Sequence, residues 1–178
     1  MEDDNELIDL VDDKDRVIKV VKRTDYYKQE EKPDGYLRAT ELLIRNSKGK
    51  FWIPRRTDDR KIAPNGLDYS CGGHVTSGDN YLTSLVREIE EELNMKVDPK
   101  DLVFIKKFYP TEVSPWFRSL YLYESDKAPN YNRADFKAYY WLSQSELRDM
   151  LEAGEPAKSS MLETVISLSD QLPTQEIK

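Results

Sequence analysis

The sequence predicts an α/β fold in which a mixed β-sheet lies between helices. Many short apolar segments, rich in β-branched and aromatic residues, alternate with turn residues, as is typical of strands. One segment near the middle of the chain and two near its end carry helix signals instead. A sheet with one early helix and two late helices fits an architecture that covers both faces of the sheet.

The predicted strands are separated by short polar segments. We predict eight strands, at 7–11, 17–22, 36–45, 50–55, 67–75, 102–109, 117–124 and 137–142. The turns between them contain Asp, Asn, Gly or Pro, which favour tight backbone bends. Two longer polar segments, 24–35 and 57–66, are predicted to be loops.

Three segments are predicted to be helices. The first, 80–93, carries apolar residues at helical spacing and is therefore amphipathic. Ser143 and Glu146 form a capping-box pattern that predicts a helix to about residue 153. Ser160 and Glu163 repeat the pattern and predict a last helix to about residue 172, where Pro173 stops it.

Composition limits the class of protein. The chain has 178 residues, 38% of them hydrophobic, which suits one domain over 1–178 with residues 1–6 as a flexible acidic tail. No apolar run approaches the ~20 residues that span a bilayer, and the acidic N-terminus differs from a secretory leader. A single cysteine, Cys71, has no internal disulfide partner, so we expect a reducing, cytoplasmic location.

Charge is unevenly placed. The net charge is −7, and residues 1–15 alone contain eight acids and one lysine, so the rest of the chain is neutral overall. An extended nucleic-acid surface would need a basic stripe, which this distribution does not provide. A small phosphate-bearing ligand needs only a local basic cluster.

The predicted central helix carries three closely spaced glutamates. Glu88, Glu91 and Glu92 stand at positions i, i+3 and i+4, so their carboxylates project from one face. Crowded carboxylates repel each other unless a cation lies between them, and oxygen ligands suit Mg²⁺. The alternative interpretation is a solvated acidic helix face.

The surrounding pattern distinguishes these interpretations. The chain contains Gly73-x5-Asp79-x7-Arg87-Glu88-Ile89-x-Glu91-Glu92-x-Asn94-Met95. This run resembles the Nudix box, G-x5-E-x7-R-E-U-x-E-E-x-G-U with U apolar. Asp79 replaces the first Glu, and we expect it either to pair loosely with Arg87 or to cap the helix. Asn94 replaces Gly, and Asn also tolerates the left-handed conformation that ends a helix.

The resemblance implies an α/β/α sandwich and a hydrolase of diphosphate links in nucleoside diphosphate derivatives. It implies Mg²⁺ or Mn²⁺ held by Glu88, Glu91 and Glu92 with the main-chain oxygen of Gly73. Members of the family use a box glutamate or a glutamate from a later loop as general base. We therefore assign catalytic roles to Glu88, Glu91 and Arg87. Glu112, in a loop similar to one in isopentenyl-diphosphate isomerases, is our later carboxylate, for both the metal and catalysis.

Residues outside the box are candidates for substrate binding. The basic pairs Arg55-Arg56 and Arg60-Lys61 precede the predicted strand, 67–75, that leads into the box. Related isomerases have a similar basic stretch at this place, and it contacts diphosphate. Guanidinium groups fit phosphate with two parallel hydrogen bonds. His74, the single histidine, follows the box glycine as in isomerase-like members. Each of these residues is equally compatible with a structural role on a solvated loop or in the core.

Three functional classes follow from the resemblance. The N-terminal segment is similar to the isomerase-like branch, but Gly72 occupies the position of the catalytic cysteine, so we expect hydrolysis rather than isomerisation. A non-catalytic nucleotide-binding domain is the other alternative, and the complete set of box glutamates argues against it. We expect a small-molecule diphosphate as the partner and no membrane. The N-terminal strands and the last helix are candidate surfaces for a homodimer.

Overall fold

A computed structural model describes residues 6–28, 34–112 and 114–168. The predicted acidic tail falls outside these residues except for Glu6, whose carboxylate accepts a hydrogen bond from Arg23 at 3.1 Å. The part of the last helix predicted beyond residue 168 also lies outside the described residues.

The elements follow the predicted order with a few differences. The strands are β1 (Leu7–Val11), β2 (Val17–Lys22), β3 (Leu37–Arg45), β4 (Phe51–Arg56), β5 (Cys71–His74), β6 (Val103–Phe108), β7 (Trp116–Glu124) and β8 (Phe136–Leu142). The α-helices are α1 (Arg23–Lys28), α2 (Tyr81–Leu93), α3 (Gln144–Glu152) and α4 (Met161–Ser167).

The main sheet is mixed, as predicted. Its strand order is β6-β7-β3-β4-β8, and β5 also pairs with β3. β3 runs parallel to β7 along its whole length and antiparallel to β4 and β5. β1 and β2 form a separate antiparallel hairpin, which joins β5's end through a bridge between Ile8 and Thr76. β3 therefore lies in the middle of the sheet, next to β5, which carries the first glycine of the box.

Helices cover both faces of the sheet. The side chains of β3 alternate between them: Leu42 and Ile44 pack in the cluster under α2, whereas Leu43 packs in the cluster under α3 and α4. The α2 cluster includes Leu85 and Ile89 from the apolar stripe of the helix. The architecture is therefore the predicted α/β/α sandwich.

Two segments differ from the prediction. Residues 24–35 were expected to be a loop, but the segment begins inside α1, because Tyr26 is buried against the β1–β2 hairpin and holds a helical turn there. The strand predicted over 67–75 is confined to Cys71–His74. Before it, the Ser70 hydroxyl donates to the Trp52 carbonyl at 2.6 Å and accepts from the Ile44 amide at 2.8 Å, taking the place of direct strand pairing.

The two predicted capping boxes have different outcomes. At α3, the Ser143 hydroxyl accepts from the Glu146 amide and the Glu146 carboxylate accepts from the Ser143 amide, as predicted. At α4, Ser160 makes no capping bond, because its hydroxyl binds Tyr69 instead. Glu163 likewise pairs with Arg118, so both members of the second pattern serve tertiary contacts.

Candidate active site

A cavity of about 880 Å³ opens beside the box helix. It is bounded by β3, β5, the end of β4, the N-terminal segment and the turn before α4. The acidic residues that line it are the box glutamates Glu88, Glu91 and Glu92, together with Glu6, Glu41 and Asp135. Its basic residues are Arg23, Arg56, Arg60, Arg87 and Lys158. Carboxylates and cationic side chains therefore share one cavity, the arrangement expected for a metal and a phosphate ligand.

The ends of α2 are fixed by asparagines. Asn80 is the N-cap, and its side chain accepts from the Thr83 amide at 2.9 Å. Asn94 adopts the left-handed conformation, with φ 51° and ψ 36°, as predicted for its replacement of the box glycine. Its side chain also donates to the Asn130 carbonyl at 2.6 Å. The departure at Asn94 thus preserves the geometry of the box helix.

Two glycines of β5 bring the backbone against the box glutamates. A side chain at Gly73 would overlap the Glu88 carboxylate, so glycine is needed for this approach. The Gly72 amide donates to the Glu92 carboxylate at 3.3 Å. The backbone of Gly73 therefore lies beside the carboxylate of Glu88, and both residues are predicted metal ligands.

Arg87 links the glutamates to the N-terminal segment. It forms ion pairs with Glu88 at 3.0 Å and with Glu91 at 3.2 Å. Its Nη2 also donates to the Thr76 hydroxyl at 2.9 Å. Asp79 follows neither of the two predictions made for it, since Asn80 is the cap and the Asp79 carboxylate accepts from the Ser84 hydroxyl at 3.2 Å.

Negative charge on the buried glutamates of the cavity is energetically unfavourable. Burial, with the neighbouring charge of Glu88, raises the pKa of Glu92 to about 8. Burial also raises the pKa of Glu88, and Arg87 opposes that rise. A cation placed between these two acids would stabilise the ionised form of both carboxylates.

The carboxylates share the cavity without converging on one point. Glu88 and Glu91 turn toward Arg87, and Glu92 turns toward the Gly72 amide. No group of three His, Cys, Asp or Glu side chains within the described residues is placed to hold an ion as it stands. The available donors are all oxygens, which fits Mg²⁺ or Mn²⁺, and the space left by Gly73 already admits a carboxylate.

Glu41 is a carboxylate of the cavity that the sequence analysis missed. It lies on β3 opposite Gly72 and is almost fully buried. Arg118, which is 1% exposed, donates to it at 3.0 Å. Burial raises the pKa of Glu41 to about 7, while Arg118 and Lys158 oppose the rise. The sequence clue was an acid next to Thr40 in a strand whose other residues from Ala39 to Ile44 are apolar.

Glu112 does not reach this cavity. The turn that carries it is closed by two hydrogen bonds, from the Thr111 amide to the Ser114 carbonyl and from the Ser114 amide to the Thr111 hydroxyl. Glu112 lies exposed in this turn and does not line the cavity. The loop similarity therefore does not place its side chain among those that line the cavity.

The predicted basic residues separate into two groups. Arg56 and Arg60 line the cavity, where they pair with Asp68 and Asp135 at 2.5 Å and 2.9 Å. Arg55 points away and pairs with Glu155 at 2.7 Å, and Lys61 is exposed outside the cavity. The register of β4 against β8 shifts between Arg55 and Arg56, and of these two arginines Arg56 lines the cavity.

His74 lines the cavity but is buried. The Tyr27 hydroxyl lies 2.8 Å from its Nε2. Burial, with the charges of Arg23 and Lys158, lowers the pKa of His74 to about 3. The ring is therefore neutral at physiological pH, and Trp116 packs against it with a centroid separation of 5.9 Å.

Comparison with known proteins agrees with the fold and the box. Residues 35–165 match the model of the NUDIX domain. An uncharacterised Nudix hydrolase of Nostoc sp. is 40% identical over 169 residues, covering 93% of this chain and 96% of its own. A Nudix hydrolase of Deinococcus radiodurans is 35% identical over 162 residues, covering 90% of this chain and 92% of its own.

A solved structure shows the same similarity in three dimensions. The crystal structure of DR0079 from Deinococcus radiodurans has a TM-score of 0.80 and 36% identity, and covers 91% of this chain and 98% of its own. The matching domain and the relatives named as Nudix hydrolases identify a hydrolase of phosphoric anhydride bonds. The chain belongs to the Nudix family. Within the described residues, no helix has the length and apolar character needed to cross a membrane.

Proposed function

We propose that this protein hydrolyses the diphosphate linkage of nucleoside diphosphate derivatives or related small molecules with Mg²⁺ or Mn²⁺. The observation that carries the proposal is the approach of Gly73 to Glu88 in a cavity that also contains Glu91 and Glu92. A Cβ at this position would displace the Glu88 carboxylate, so the glycine lets the loop and the helix of the box meet in one oxygen-rich surface.

The glutamates have different roles in this proposal. Glu88 and Glu92, the more buried pair, would hold the metal with the Gly73 carbonyl, and Glu91 would complete the set from the more exposed side. When bound, the metal neutralises phosphate charge and lowers the pKa of an attacking water. Arg87 keeps Glu88 and Glu91 oriented, and Glu91 is the candidate base because its carboxylate is the one open to solvent.

The substrate would extend along the cavity from the box. Arg56 and Arg60 offer guanidinium groups for phosphate. His74 and Trp116 form an aromatic surface for the organic group. Since His74 is buried and neutral, we propose that it supports Trp116 rather than transferring a proton.

Two features bear on the isomerase-like branch. The N-terminal hairpin and the Gly72-Gly73-His74 stretch motivate the assignment to that branch, which we retain as a proposal. Cys71 packs under α2 and does not line the cavity, whereas Gly72 does. An isomerase that uses a thiol would need that thiol in the cavity, so hydrolysis is the activity that we propose.

The cellular setting is also a proposal. Cys71, the one cysteine, is buried with a free thiol whose pKa burial raises well above its usual value. A protein with such a thiol suits a reducing cytoplasm. The homodimer stays a prediction, with exposed Val17, Ile18 and Val20 of the hairpin as its candidate surface.

A panel assay tests the proposed function. Nucleoside di- and triphosphates, nucleotide sugars, dinucleotides and isoprenoid diphosphates are incubated with the protein and Mg²⁺, Mn²⁺ or a chelator, and released phosphate or nucleotide is measured. We expect release from at least one diphosphate compound that requires the divalent ion. Tight binding of a nucleotide with no metal-dependent release would instead indicate a binding domain.

A further inference from the structure

The turn before α4 is fixed against the segment that precedes β5. The Leu67 amide donates to the Pro156 carbonyl at 2.7 Å, and the Lys158 amide donates to the Leu67 carbonyl at 3.0 Å. Ala157 packs so closely on Gly66 that its Cα lies 3.2 Å from the position of an added Cβ. These contacts with residues that are distant in the sequence fix the backbone at Lys158.

The side chain of Lys158 enters the cavity. Its ammonium lies 3.0 Å from the Asp68 carboxylate, and the side chain is 24% exposed. Asp68 is 4% exposed, and its other oxygen pairs with Arg56. An ammonium has three N–H donors, and among the described residues Asp68 is the acceptor that it contacts. Donors thus remain for a ligand in the cavity.

Lys158 acts on the acids of the box from this position. Its charge opposes the rise in pKa of both Glu92 and Glu41. Arg56 and Arg60 line the same cavity. Lys158, these two arginines and the box glutamates all line this one cavity, so a ligand bound at the glutamates can meet the basic residues without leaving it.

We propose that Lys158 is a substrate-positioning residue that binds a phosphoryl oxygen, and that with Arg56 and Arg60 it forms an anion subsite separate from the box carboxylates. This inference rests on the proposed diphosphate hydrolase function. The ligand class is a phosphate or phosphoryl group that carries negative charge at neutral pH.

The alternative is that Lys158 serves only to neutralise Asp68. The structure offers a way to separate the two roles, because Asp68 keeps other partners without Lys158. Arg56 donates to one of its oxygens, and the Tyr69 amide donates to the other at 2.7 Å. Replacing Lys158 therefore leaves Asp68 paired, and the fold is expected to survive.

The experiment measures binding of inorganic phosphate to the metal-free protein in a chelating, phosphate-free buffer by titration calorimetry. Lys158→Met removes the charge and keeps the length of the side chain, and Lys158→Gln is a second neutral variant if the first does not fold. Lys158→Arg restores a cation. Lys50→Met is the matched control, since Lys50 is also paired with a carboxylate, Glu146, at 3.1 Å but lies outside the cavity.

We expect the neutral variants to raise the Kd for phosphate about tenfold or more, as the loss of a charge-assisted hydrogen bond does. Lys158→Arg and Lys50→Met should bind close to the native level. On a substrate from the panel, Lys158→Met should raise KM more than it lowers kcat. Unchanged phosphate binding in the folded neutral variants, with only a lower melting temperature, would overturn the proposal. So would the lack of saturable phosphate binding to the native protein. Neither result requires turnover, so this test can fail while the proposed hydrolysis holds.

Discussion

Arg87 of the box helix approaches Glu6 of the N-terminal segment, with 3.8 Å between Arg87 Nη2 and Glu6 Oε1. Thr76 connects them, because it accepts a hydrogen bond from Arg87 and donates one to Glu6 at 3.2 Å. In this protein the acid that supports the box arginine comes from the start of the chain, whereas Asp79 of the box bonds to Ser84.

This arrangement predicts that Glu6 matters more than Asp79. Glu6→Gln removes the charge near Arg87, so Arg87 should orient Glu88 and Glu91 less well. We expect kcat for the panel substrate to fall about tenfold or more, since small losses of orientation are costly in active sites. Asp79→Asn keeps an acceptor for Ser84 and should leave kcat near the native value. A larger loss in Asp79→Asn than in Glu6→Gln would contradict this interpretation.

A second prediction concerns Gly73. Gly73→Ala places a methyl group where the Glu88 carboxylate lies, so the carboxylate must move. We expect kcat to fall by about a hundredfold, with a melting temperature close to native, because the displaced side chain is at the cavity surface. Gly49→Asn is the control. Gly49 has a φ of 72°, which Asn tolerates, and nothing lies within 4 Å of an added Cβ. Equal kcat in the two variants would show that the Gly73 contact is unimportant.

A third prediction concerns the buried ion pair of Arg118 and Glu41. Arg118→Met leaves the buried Glu41 carboxylate without its main cation, so the free energy of unfolding should fall by about 3–5 kcal/mol. Arg148→Met, at an exposed pair on α3, should change it by less than about 1 kcal/mol. Urea denaturation measures both. Adding Glu41→Gln to Arg118→Met should recover part of the loss, and no recovery would argue against an uncompensated charge.

A fourth prediction concerns pH and His74. Its pKa is lowered to about 3 in the folded state, so between about pH 3 and the ordinary value of 6.5 the unfolded chain binds the extra proton. The stability that the neutral ring contributes is full above pH 6.5 and is lost as the pH falls through that window. Each pH unit there should cost about 1.4 kcal/mol relative to His74→Gln.

His74→Gln is needed as the reference because the titration of Glu41 and Glu92 changes the stability in the opposite direction. Their pKa values are raised, so their effect on stability declines as the pH rises. Chemical denaturation of the metal-free native protein and of His74→Gln between pH 4 and 7 isolates the histidine. Parallel stability curves for the two proteins would show that His74 is not held neutral.

Much of the fold could be predicted because it depends on local pattern. The alternation of Leu42, Leu43 and Ile44 between two helix layers follows from strand geometry, and the end of α2 follows from the tolerance of Asn94 for the left-handed conformation. The helix α1 was missed because it depends on the packing of Tyr26 against Ile8, Leu10 and Leu37, and no local pattern in this short polar segment indicates that packing.

The site was only partly predictable, because contacts between distant segments of the chain bring some of its residues together. The box residues are close in sequence, so their spacing reveals their common face. Glu6, Glu41 and Lys158 reach the cavity through strand pairing and backbone bridges between distant segments, which a single sequence does not encode as a spacing. Glu112 shows the converse, because a similar loop sequence leaves its side chain exposed.

Metal-dependent hydrolysis that requires the box glutamates lining the cavity is tested most directly by one comparison. Glu88→Gln is compared with Glu90→Gln, whose native carboxylate is 60% exposed near Lys96 and lies outside the cavity. The measurement is the Mg²⁺-dependent rate of phosphate or nucleotide release from the best panel substrate. We predict a loss of at least about a hundredfold for Glu88→Gln and a native rate for Glu90→Gln. A native, Mg²⁺-dependent rate in Glu88→Gln would contradict the account.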